Sequence, residues 1–201
     1  MTKIVIVDYG LGNLRSVFRG IEKAGALPVI SSDPEEVSAA DGVVLPGVGA
    51  FREGMDQLGD LSRVITGMAG DAPILGICLG MQMLMEWSEE HGLHRGLALV
   101  PGTVRRFPHK AGFKVPHMGW NTLEFGEADD PLFEGIPSHS YVYFVHSYYA
   151  DTTASCTIAT TGYSCRFASA IRKDGSWGVQ FHPEKSGAVG LRILENYIGM
   201  I

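Results

Sequence analysis

The sequence of 201 residues predicts an α/β protein in which a mainly parallel sheet carries antiparallel additions. In the first half, short β-branched apolar runs alternate with segments of helical periodicity, which is typical of a parallel sheet covered on both faces. The second half is rich in strand patterns and has few helices between them. No internal repeat, low-complexity tract or linker divides the sequence, so we expect residues 1–201 to form a single domain.

The first strand and the first helix can be told apart by the spacing of their apolar residues. "KIVIVD", Lys3–Asp8, is a β-branched run that predicts a strand, and the glycine-containing turn "YGLGN" closes it. Apolar side chains then recur at helical spacing over residues 14–21, and Gly25 is typical of the end of a helix. A second short strand is expected over residues 27–31.

The same alternation continues through the first half. Asp33 and Pro34 form an N-cap and first-turn pair, which predicts the start of another helix. "GVVLP", Gly42–Pro46, predicts a third strand, and "PILGIC", Pro73–Cys78, predicts a fourth. Strands that alternate with helices in this way predict the parallel core.

The second half contains the strands expected to add antiparallel pairing. A hairpin turn is predicted at Asp174-Gly175, between the last two strand patterns. A closing helix is expected from about Ser186, since apolar residues recur at helical spacing up to Ile198. The strand-like segments are "LALVPGTVRRF", "NTLEF", "YVYFVHSYYA", "FASAIRK" and "WGVQFH".

The charge balance argues against a nucleic-acid partner. The formal net charge is -6, and no cluster of Lys and Arg of the kind that follows a phosphate backbone is present. The densest basic segment, "RRFPHK" at Arg105–Lys110, is interpreted as a solvated loop. We therefore expect small-molecule or protein partners.

The N-terminus and the cysteines indicate a cytoplasmic protein. The chain enters its first strand directly, without the features of a signal peptide, and no apolar stretch approaches the ~18 residues that span a bilayer. Three cysteines are an odd and sparse set that fits a reducing compartment. Cys156 and Cys165 are expected to be small apolar packing residues.

The segment "GICLG" has the layout of a nucleophile elbow, in which a strand ends in a sharp turn and a helix begins. The thiol of Cys78 would lie at the amino end of that helix, whose dipole favours a thiolate. The backbone N–H of Leu79 would point to where an oxyanion forms, and Gln82 would share a helical face with Cys78. A buried structural thiol remains an alternative for this segment alone.

The segment "QFHPE" supplies the proton shuttle that a thiolate nucleophile needs. His182 and Glu184 are two residues apart in an extended segment, so both side chains project from one face, and Pro183 stiffens the backbone between them. Glu184 can then orient the imidazole and stabilise its cation, as in a catalytic triad with Cys78 as the attacking group. A surface loop with unrelated ionisable groups is the alternative.

A glycine-rich loop, "LPGVGAF", follows the third strand. Its N–H groups near Val48 and Gly49 could provide a second oxyanion donor, although a plain turn would have the same composition. Gly10 and Gly12 resemble part of a dinucleotide fingerprint, but Arg15 stands where the third glycine belongs. We therefore expect no cofactor.

A metal site is also not expected. His91 and His94 are three residues apart, but no cysteine or carboxylate completes a ligand set at a familiar spacing. The chemistry predicted for the chain thus depends on its own side chains.

These motifs, in this order, resemble those of the class I (triad) glutamine amidotransferases. "GICLGMQ" is similar to the nucleophile motif of that family, and "FHPE" is similar to its His/Glu motif. The likeness extends over essentially the whole chain. It implies a flavodoxin-like three-layer sandwich around a mixed sheet.

Within the class, four segments resemble the glutaminase subunits of imidazole glycerol phosphate synthases, which act in histidine biosynthesis. They are "VDYGLGNLRSV", "PGVGAF", "PHMGWN" and "YFVHSY". The resemblance implies a heterodimer with a (β/α)₈-barrel cyclase subunit, which uses ammonia to make imidazole glycerol phosphate and AICAR. Trp120, Tyr143 and Lys185 match positions expected near that partner, although Trp120 could instead be an ordinary core aromatic.

The resemblance also implies the reaction. Cys78 attacks the carboxamide of glutamine, His182 protonates the departing ammonia, and water releases glutamate from a glutamyl thioester. The positions that match the substrate contacts of the family are Gly49, Gln82, Glu90, His146 and Ser147.

Two other functions stay open on the sequence. The chain could be a glutaminase that feeds another synthase, or an independent γ-glutamyl hydrolase. It could also be a binding or regulatory module that kept the fold without catalysis, but the intact Cys, His and Glu set argues against this.

Overall fold

A mixed sheet forms the centre of the structure, a computed structural model that describes residues 2–126 and 129–201. Twelve strands of the described residues belong to this sheet, and two more form a small separate sheet. The strands are β1 Ile4–Val7, β2 Val29–Ser31, β3 Gly42–Gly47, β4 Ile74–Cys78, β5 Met85–Ser88, β6 His94–Arg95, β7 Val100–Arg106, β8 His117–Thr122, β9 Glu124–Phe125, β10 Tyr141–His146, β11 Tyr148–Asp151, β12 Thr157–Gly162, β13 Arg166–Lys173 and β14 Ser176–Val179.

The α-helices of the described residues pack on the two faces of the large sheet. They are α1 Leu14–Lys23, α2 Pro34–Ser38, α3 Phe51–Leu58, α4 Leu61–Gly67, α5 Leu79–Met83 and α6 Gly187–Gly199. The predicted cap of α2 is present, because the Asp33 side chain accepts a hydrogen bond from the Glu35 N–H at 3.0 Å. None of these helices is long and apolar enough to cross a membrane.

The core strands follow the order β2-β1-β3-β4-β14, and every neighbouring pair among them is parallel. Their side chains alternate between two buried clusters. Val5 and Val43 pack on the side of α2 to α5, whereas Ile6 and Val44 pack on the side of α1 and α6. This alternation produces three layers, and it explains why these strands read as continuous apolar runs.

The antiparallel additions extend the sheet beyond β14. β13 pairs with β14 through the predicted hairpin, where Asp174 adopts a φ of +50°. β11 pairs antiparallel with β13 and β7, while β5 pairs parallel with β7. The predicted α/β class, with a parallel core and antiparallel additions, is confirmed.

The segment "YVYFVHSYYA" differs from its prediction as one strand. It divides at Ser147 into β10, whose one partner strand in the described ranges is β8 in the small sheet, and β11, which joins the large sheet. The sequence pattern is continuous because both halves are amphipathic, but the two halves pair with different partners. This division places residues 145–148 at the junction of the two sheets.

The strand order brings the three predicted motifs together. β3, β4 and β14 are adjacent and parallel, so the segments that follow them leave the sheet at the same edge. Open α/β sheets bind ligands at the carboxyl ends of their strands. The loop after β3, Cys78 at the end of β4 and the segment after β14 meet there.

Candidate active site

A cavity of about 350 Å³ opens at this edge of the sheet. The residues that line it come from the three converging motifs, from α5 and from the junction between β10 and β11. Nine of the site residues predicted from the sequence line it, namely Val48, Gly49, Cys78, Leu79, Gln82, Glu90, His146, Ser147 and His182.

Cys78 occupies a sharp elbow between β4 and α5. Its φ of +54° and ψ of -105° lie in a region that residues with a side chain rarely adopt. Such strain, on the order of 1–3 kcal/mol, persists where surrounding structure imposes it and is concentrated at functional sites. The elbow directs the nearly buried thiol into the cavity.

Gly80 explains how the elbow packs so closely on the sheet. A Cβ at this position would overlap the carbonyl oxygen of Leu45 in β3. Only a glycine therefore lets the first turn of α5 approach the neighbouring strand. The second glycine of "GICLG" is thus required by a backbone contact.

His182 and Glu184 form a buried ion pair beside the thiol. The Nδ1 of His182 lies 2.8 Å from the Oε1 of Glu184, and the side chains are 3% and 1% exposed. This contact requires the proton on Nδ1. The Nε2 of His182 is buried without a conventional hydrogen-bond partner among the described residues, and His182 shares the cavity with Cys78. Nε2 is therefore the nitrogen available for proton transfer.

The surroundings raise the pKa of His182 from 6.5 to about 9. Burial alone lowers this pKa, but the closeness of Cys78 and the hydrogen bond to Glu184, together with the charges of both groups, outweigh burial. The imidazole is consequently a cation at neutral pH. A cationic acid beside a sulfur nucleophile is suited to protonating a leaving nitrogen.

Gln180 is a site residue that the sequence reasoning missed. Its fully buried amide donates to the Cys78 sulfur at 3.7 Å and accepts from the Gln82 amide at 3.0 Å. Gln180 therefore helps to place the thiol. The alternation of residues 180, 182 and 184 along the sequence pointed to Gln180. The predicted extended segment is wrong beyond His182, however, because Pro183–Lys185 form a 3₁₀ turn, and this turn brings Glu184 back to His182 Nδ1.

Gln82 lies close to Cys78 as expected, but its amide N–H groups are already used. They donate to the Tyr148 carbonyl and to the Gln180 side chain, each at 3.0 Å. The expectation that this amide reaches a ligand is therefore limited to its oxygen. Its N–H groups instead tie α5 to the strands behind the cavity.

The loop after β3 borders the cavity at Val48 and Gly49. Gly49 has a φ of +105°, a conformation that favours glycine, and a Cβ there would meet nothing within 4 Å. The loop ends at Phe51, the buried first residue of α3. A glycine at this position thus leaves the backbone open to the cavity.

His146 belongs to a buried network that the sequence did not predict. Its Nδ1 donates to the Tyr148 carbonyl at 2.7 Å, and its Nε2 lies 3.0 Å from the Nδ1 of His117. The Nε2 of His117 then lies 3.2 Å from the Asn121 amide nitrogen. Burial lowers the pKa of His146 to about 3 and that of His117 to about 4, so both are neutral at neutral pH.

The three residues expected near a partner lie outside the cavity. Trp120 on β8 is 56% exposed, so its interpretation as a core aromatic is wrong. It faces Tyr143 across the β8–β10 pair, with ring centroids 6.0 Å apart. The Tyr143 carbonyl accepts from the His182 N–H at 2.9 Å, and Lys185 is exposed in the turn after His182.

Comparison with known proteins identifies related chains. The family model for class I glutamine amidotransferases matches residues 5–199. The chain is 55% identical to imidazole glycerol phosphate synthase subunit HisH of Methanosarcina mazei over 203 residues, covering 100% of both chains. It is 48% identical to the same subunit of Archaeoglobus fulgidus, covering 98% of each. A crystal structure of a glutamine amidotransferase superposes with a TM-score of 0.76 over 98% of this chain and 97% of that one, and at 15% identity it shows the shared fold.

Proposed function

The chain belongs to the class I glutamine amidotransferases, and from that premise we propose that it is the glutaminase subunit of an imidazole glycerol phosphate synthase in histidine biosynthesis. It hydrolyses glutamine to glutamate and ammonia and passes the ammonia to a cyclase subunit. The hydrolase activity resides in this chain, and the lyase activity belongs to the complex.

One observation carries the proposal. The cavity joins the strained thiol of Cys78 with His182, whose Nδ1 is paired to Glu184 and whose Nε2 has no conventional partner among the described residues. A nucleophile, a base and an orienting carboxylate in this arrangement are what acyl transfer from an amide requires. These three residues are the proposed catalytic triad.

The first half-reaction forms the thioester. The sulfur of Cys78, with its proton already on His182, attacks the carboxamide carbon of glutamine and forms a C–S bond. The resulting oxyanion is stabilised by backbone N–H groups of Leu79 and of the loop at Val48 and Gly49. His182 then gives its Nε2 proton to the nitrogen, the C–N bond breaks, and ammonia leaves.

The second half-reaction restores the enzyme. His182, now neutral, takes a proton from water, and the oxygen attacks the thioester carbon. The C–S bond breaks, glutamate leaves, and the sulfur of Cys78 is again paired with a cationic imidazole. Glu184 orients the imidazole throughout without taking its proton.

The remaining cavity residues bind the substrate in this proposal. The carboxylate of Glu90 suits the α-ammonium of glutamine, and the backbone near Gly49 contacts its amide end. Ser147 and the side-chain oxygen of Gln82 complete the pocket around its polar atoms, while His146, whose two ring nitrogens are occupied by Tyr148 and His117, forms part of its wall. No metal or cofactor takes part in these steps.

The partner that we propose is a (β/α)₈-barrel cyclase, which converts a phosphoribulosyl aminoimidazole carboxamide ribonucleotide into imidazole glycerol phosphate and AICAR. Trp120, Tyr143 and Lys185 form its contact face in this account. Shielded transfer is required because ammonia in neutral water is protonated and loses its nucleophilicity. The biosynthetic role is proposed to be cytoplasmic, with residues 1–201 acting as one domain.

Glutamate release by the chain alone, by the chain with the cyclase subunit, and by the complex with the cyclase ligand tests this function. We expect release in the complex, with the largest rate when the ligand is bound. Recovery of a different synthase as the partner from cell extract would contradict the assigned pathway. Absence of glutamate release from a verified complex would contradict the glutaminase assignment itself.

A further inference from the structure

Glu90 makes a contact that substrate binding does not explain. Its Oε2 accepts a hydrogen bond from the backbone N–H of Phe51 at 2.6 Å, although the two residues are 39 positions apart. Phe51 begins α3 directly after the loop that carries Val48 and Gly49. A carboxylate that lines the cavity thus holds one end of this loop.

The N-terminus of α3 needs an acceptor from elsewhere. Its N-cap residue is Ala50, which has no side-chain acceptor, whereas Ser, Thr, Asp or Asn usually satisfies the first N–H groups of a helix. Glu90 supplies an acceptor from across the cavity. A hydrogen bond from a backbone N–H to a carboxylate is roughly twice as strong as one between neutral groups.

Glu90 lies in the turn after β5 and is tied to the end of that strand. Its backbone N–H donates to the Ser88 hydroxyl at 3.2 Å, and Ser88 is fully buried at the end of β5. The carboxylate therefore extends from a fixed point. It can act as a support for the loop, because its backbone is anchored to the sheet.

The other end of the loop is fixed as well. The Tyr9 hydroxyl donates to the Pro46 carbonyl at 2.7 Å, in a buried contact. Gly47 then has no free space, because a Cβ there would meet the Tyr9 hydroxyl and lie 2.8 Å from the Leu79 Cβ. The loop is therefore held at Pro46 by Tyr9 and at Phe51 by Glu90, and Val48 and Gly49 lie between these two contacts.

Glu90 is also the one carboxylate among the described residues that line the cavity. An α-amino acid substrate brings an ammonium group, and this carboxylate is its natural counter-charge. Only one of its oxygens is occupied by Phe51, so acceptor capacity remains for a ligand.

We propose that Glu90 is a positioning residue for the oxyanion-donor loop in addition to a ligand for the substrate ammonium. This inference rests on the proposed function. One carboxylate then serves both tasks: it binds the amino-acid end of the substrate and fixes the N–H groups that stabilise the reacting carbonyl. Binding of the α-ammonium of glutamine is thereby coupled to the position of the N–H groups that contact its carboxamide oxygen.

Two substitutions separate the two tasks in the complex with the cyclase subunit. Glu90→Gln keeps an acceptor at the same reach but removes the charge, so KM for glutamine should rise about tenfold to a hundredfold while kcat stays within about twofold. Glu90→Asp keeps the charge but shortens the side chain by one methylene, which removes the hydrogen bond from the Phe51 backbone N–H. Its kcat should fall about tenfold or more, because displacing an oxyanion donor costs roughly 10²–10³ in kcat.

Glu89→Gln is the matched control, because Glu89 is exposed and its one ion pair among the described residues is with Arg105 at the surface. It should leave both kinetic constants unchanged. Circular dichroism and the urea midpoint of each variant verify folding. The inference is overturned if Glu90→Asp keeps the wild-type kcat, or if Glu90→Gln loses as much kcat as Glu90→Asp. Failure of the wild-type complex to hydrolyse glutamine would instead reject the proposed function.

Discussion

At the scale of single residues, the state of His182 decides how the site works. Burial opposes a charge on this imidazole, yet Cys78 and Glu184 together raise its pKa to about 9. The charge on the imidazole therefore depends on two neighbours from different motifs, Cys78 of "GICLG" and Glu184 of "QFHPE".

The first prediction concerns pH. His182 must carry a proton to release ammonia, so kcat/KM should stay high at neutral pH and fall as pH rises through about 9. Glu184→Gln removes a charge that raises this pKa, so the fall should begin about one pH unit lower or more. The pH profile of kcat/KM for both proteins gives the measurement.

His182→Ala provides the reference for that experiment. It should lower kcat by roughly a hundredfold or more, because it removes the acid and base itself. Glu184→Gln should be milder, since this carboxylate orients the imidazole. Equal losses at neutral pH, or an unmoved alkaline limb in Glu184→Gln, would assign Glu184 a different role.

Several site residues could be predicted from local patterns, and others could not. The elbow around Cys78 and the alternation of His182 and Glu184 are visible within a few residues of sequence. Gln180 lies two residues before His182 in the same segment, although Glu184 itself lies in a 3₁₀ turn. His117 could not be found, because its role depends on pairing with His146 across β8 and β10, 29 residues apart.

At the scale of elements, the short helix α5 is held against the sheet by the lack of a side chain at Gly80. The β4–α5 turn would separate from β3 if a Cβ were present, because that atom would overlap the Leu45 carbonyl. The position of the thiol therefore depends on a contact two residues beyond it.

The second prediction tests this packing. Gly80→Ala should lower the free energy of unfolding by about 3 kcal/mol, as expected for overpacking against a rigid backbone. It should also reduce kcat, since the elbow moves. Urea denaturation followed by circular dichroism measures the stability.

Gly67→Ala is the control for that substitution. Gly67 is the exposed last residue of α4, and a Cβ there would meet nothing within 4 Å. Its free energy of unfolding should be unchanged or higher by about 0.5 kcal/mol. Similar stabilities for the two variants would show that the contact with Leu45 does not limit the position of α5.

The elements themselves were predictable to different degrees. Five elements lie close to their predicted ranges, namely β1, α1, α2, β3 and β4. Each is marked in the sequence by its pattern of apolar residues or by a residue typical of the start or end of an element. The division of "YVYFVHSYYA" at Ser147 could not be predicted, because it depends on which distant strand each half meets. β8 was likewise missed, since it pairs only with the distant β10 among the described residues. β12 was also missed, although it forms a local hairpin with β13.

At the scale of the whole molecule, the small sheet connects an exposed aromatic face to the catalytic segment. Trp120 and Tyr143 face each other across β8 and β10, and the Tyr143 carbonyl accepts from the His182 N–H. A protein bound to this face would therefore lie one hydrogen bond away from the proposed base. The role of this face as the cyclase contact stays a prediction.

The third prediction concerns that face. Trp120→Ala should weaken binding to the cyclase subunit by roughly thirtyfold, as for an aromatic residue worth about 2 kcal/mol in an interface. Its melting temperature should change little, because Trp120 is 56% exposed in the isolated chain. Titration calorimetry and a thermal melt provide both values. Unchanged affinity, or a large fall in melting temperature, would contradict this role.

The central claim is that the sulfur of Cys78 forms a glutamyl thioester in the cavity that it shares with His182. The most direct measurement is glutamate release by the complex with the cyclase subunit, together with intact mass after rapid quenching in glutamine. We predict a mass increase on the wild-type chain that maps to Cys78, and in Cys78→Ala neither this increase nor glutamate release, although the complex still forms. Glutamate release by Cys78→Ala at the wild-type rate would contradict the account.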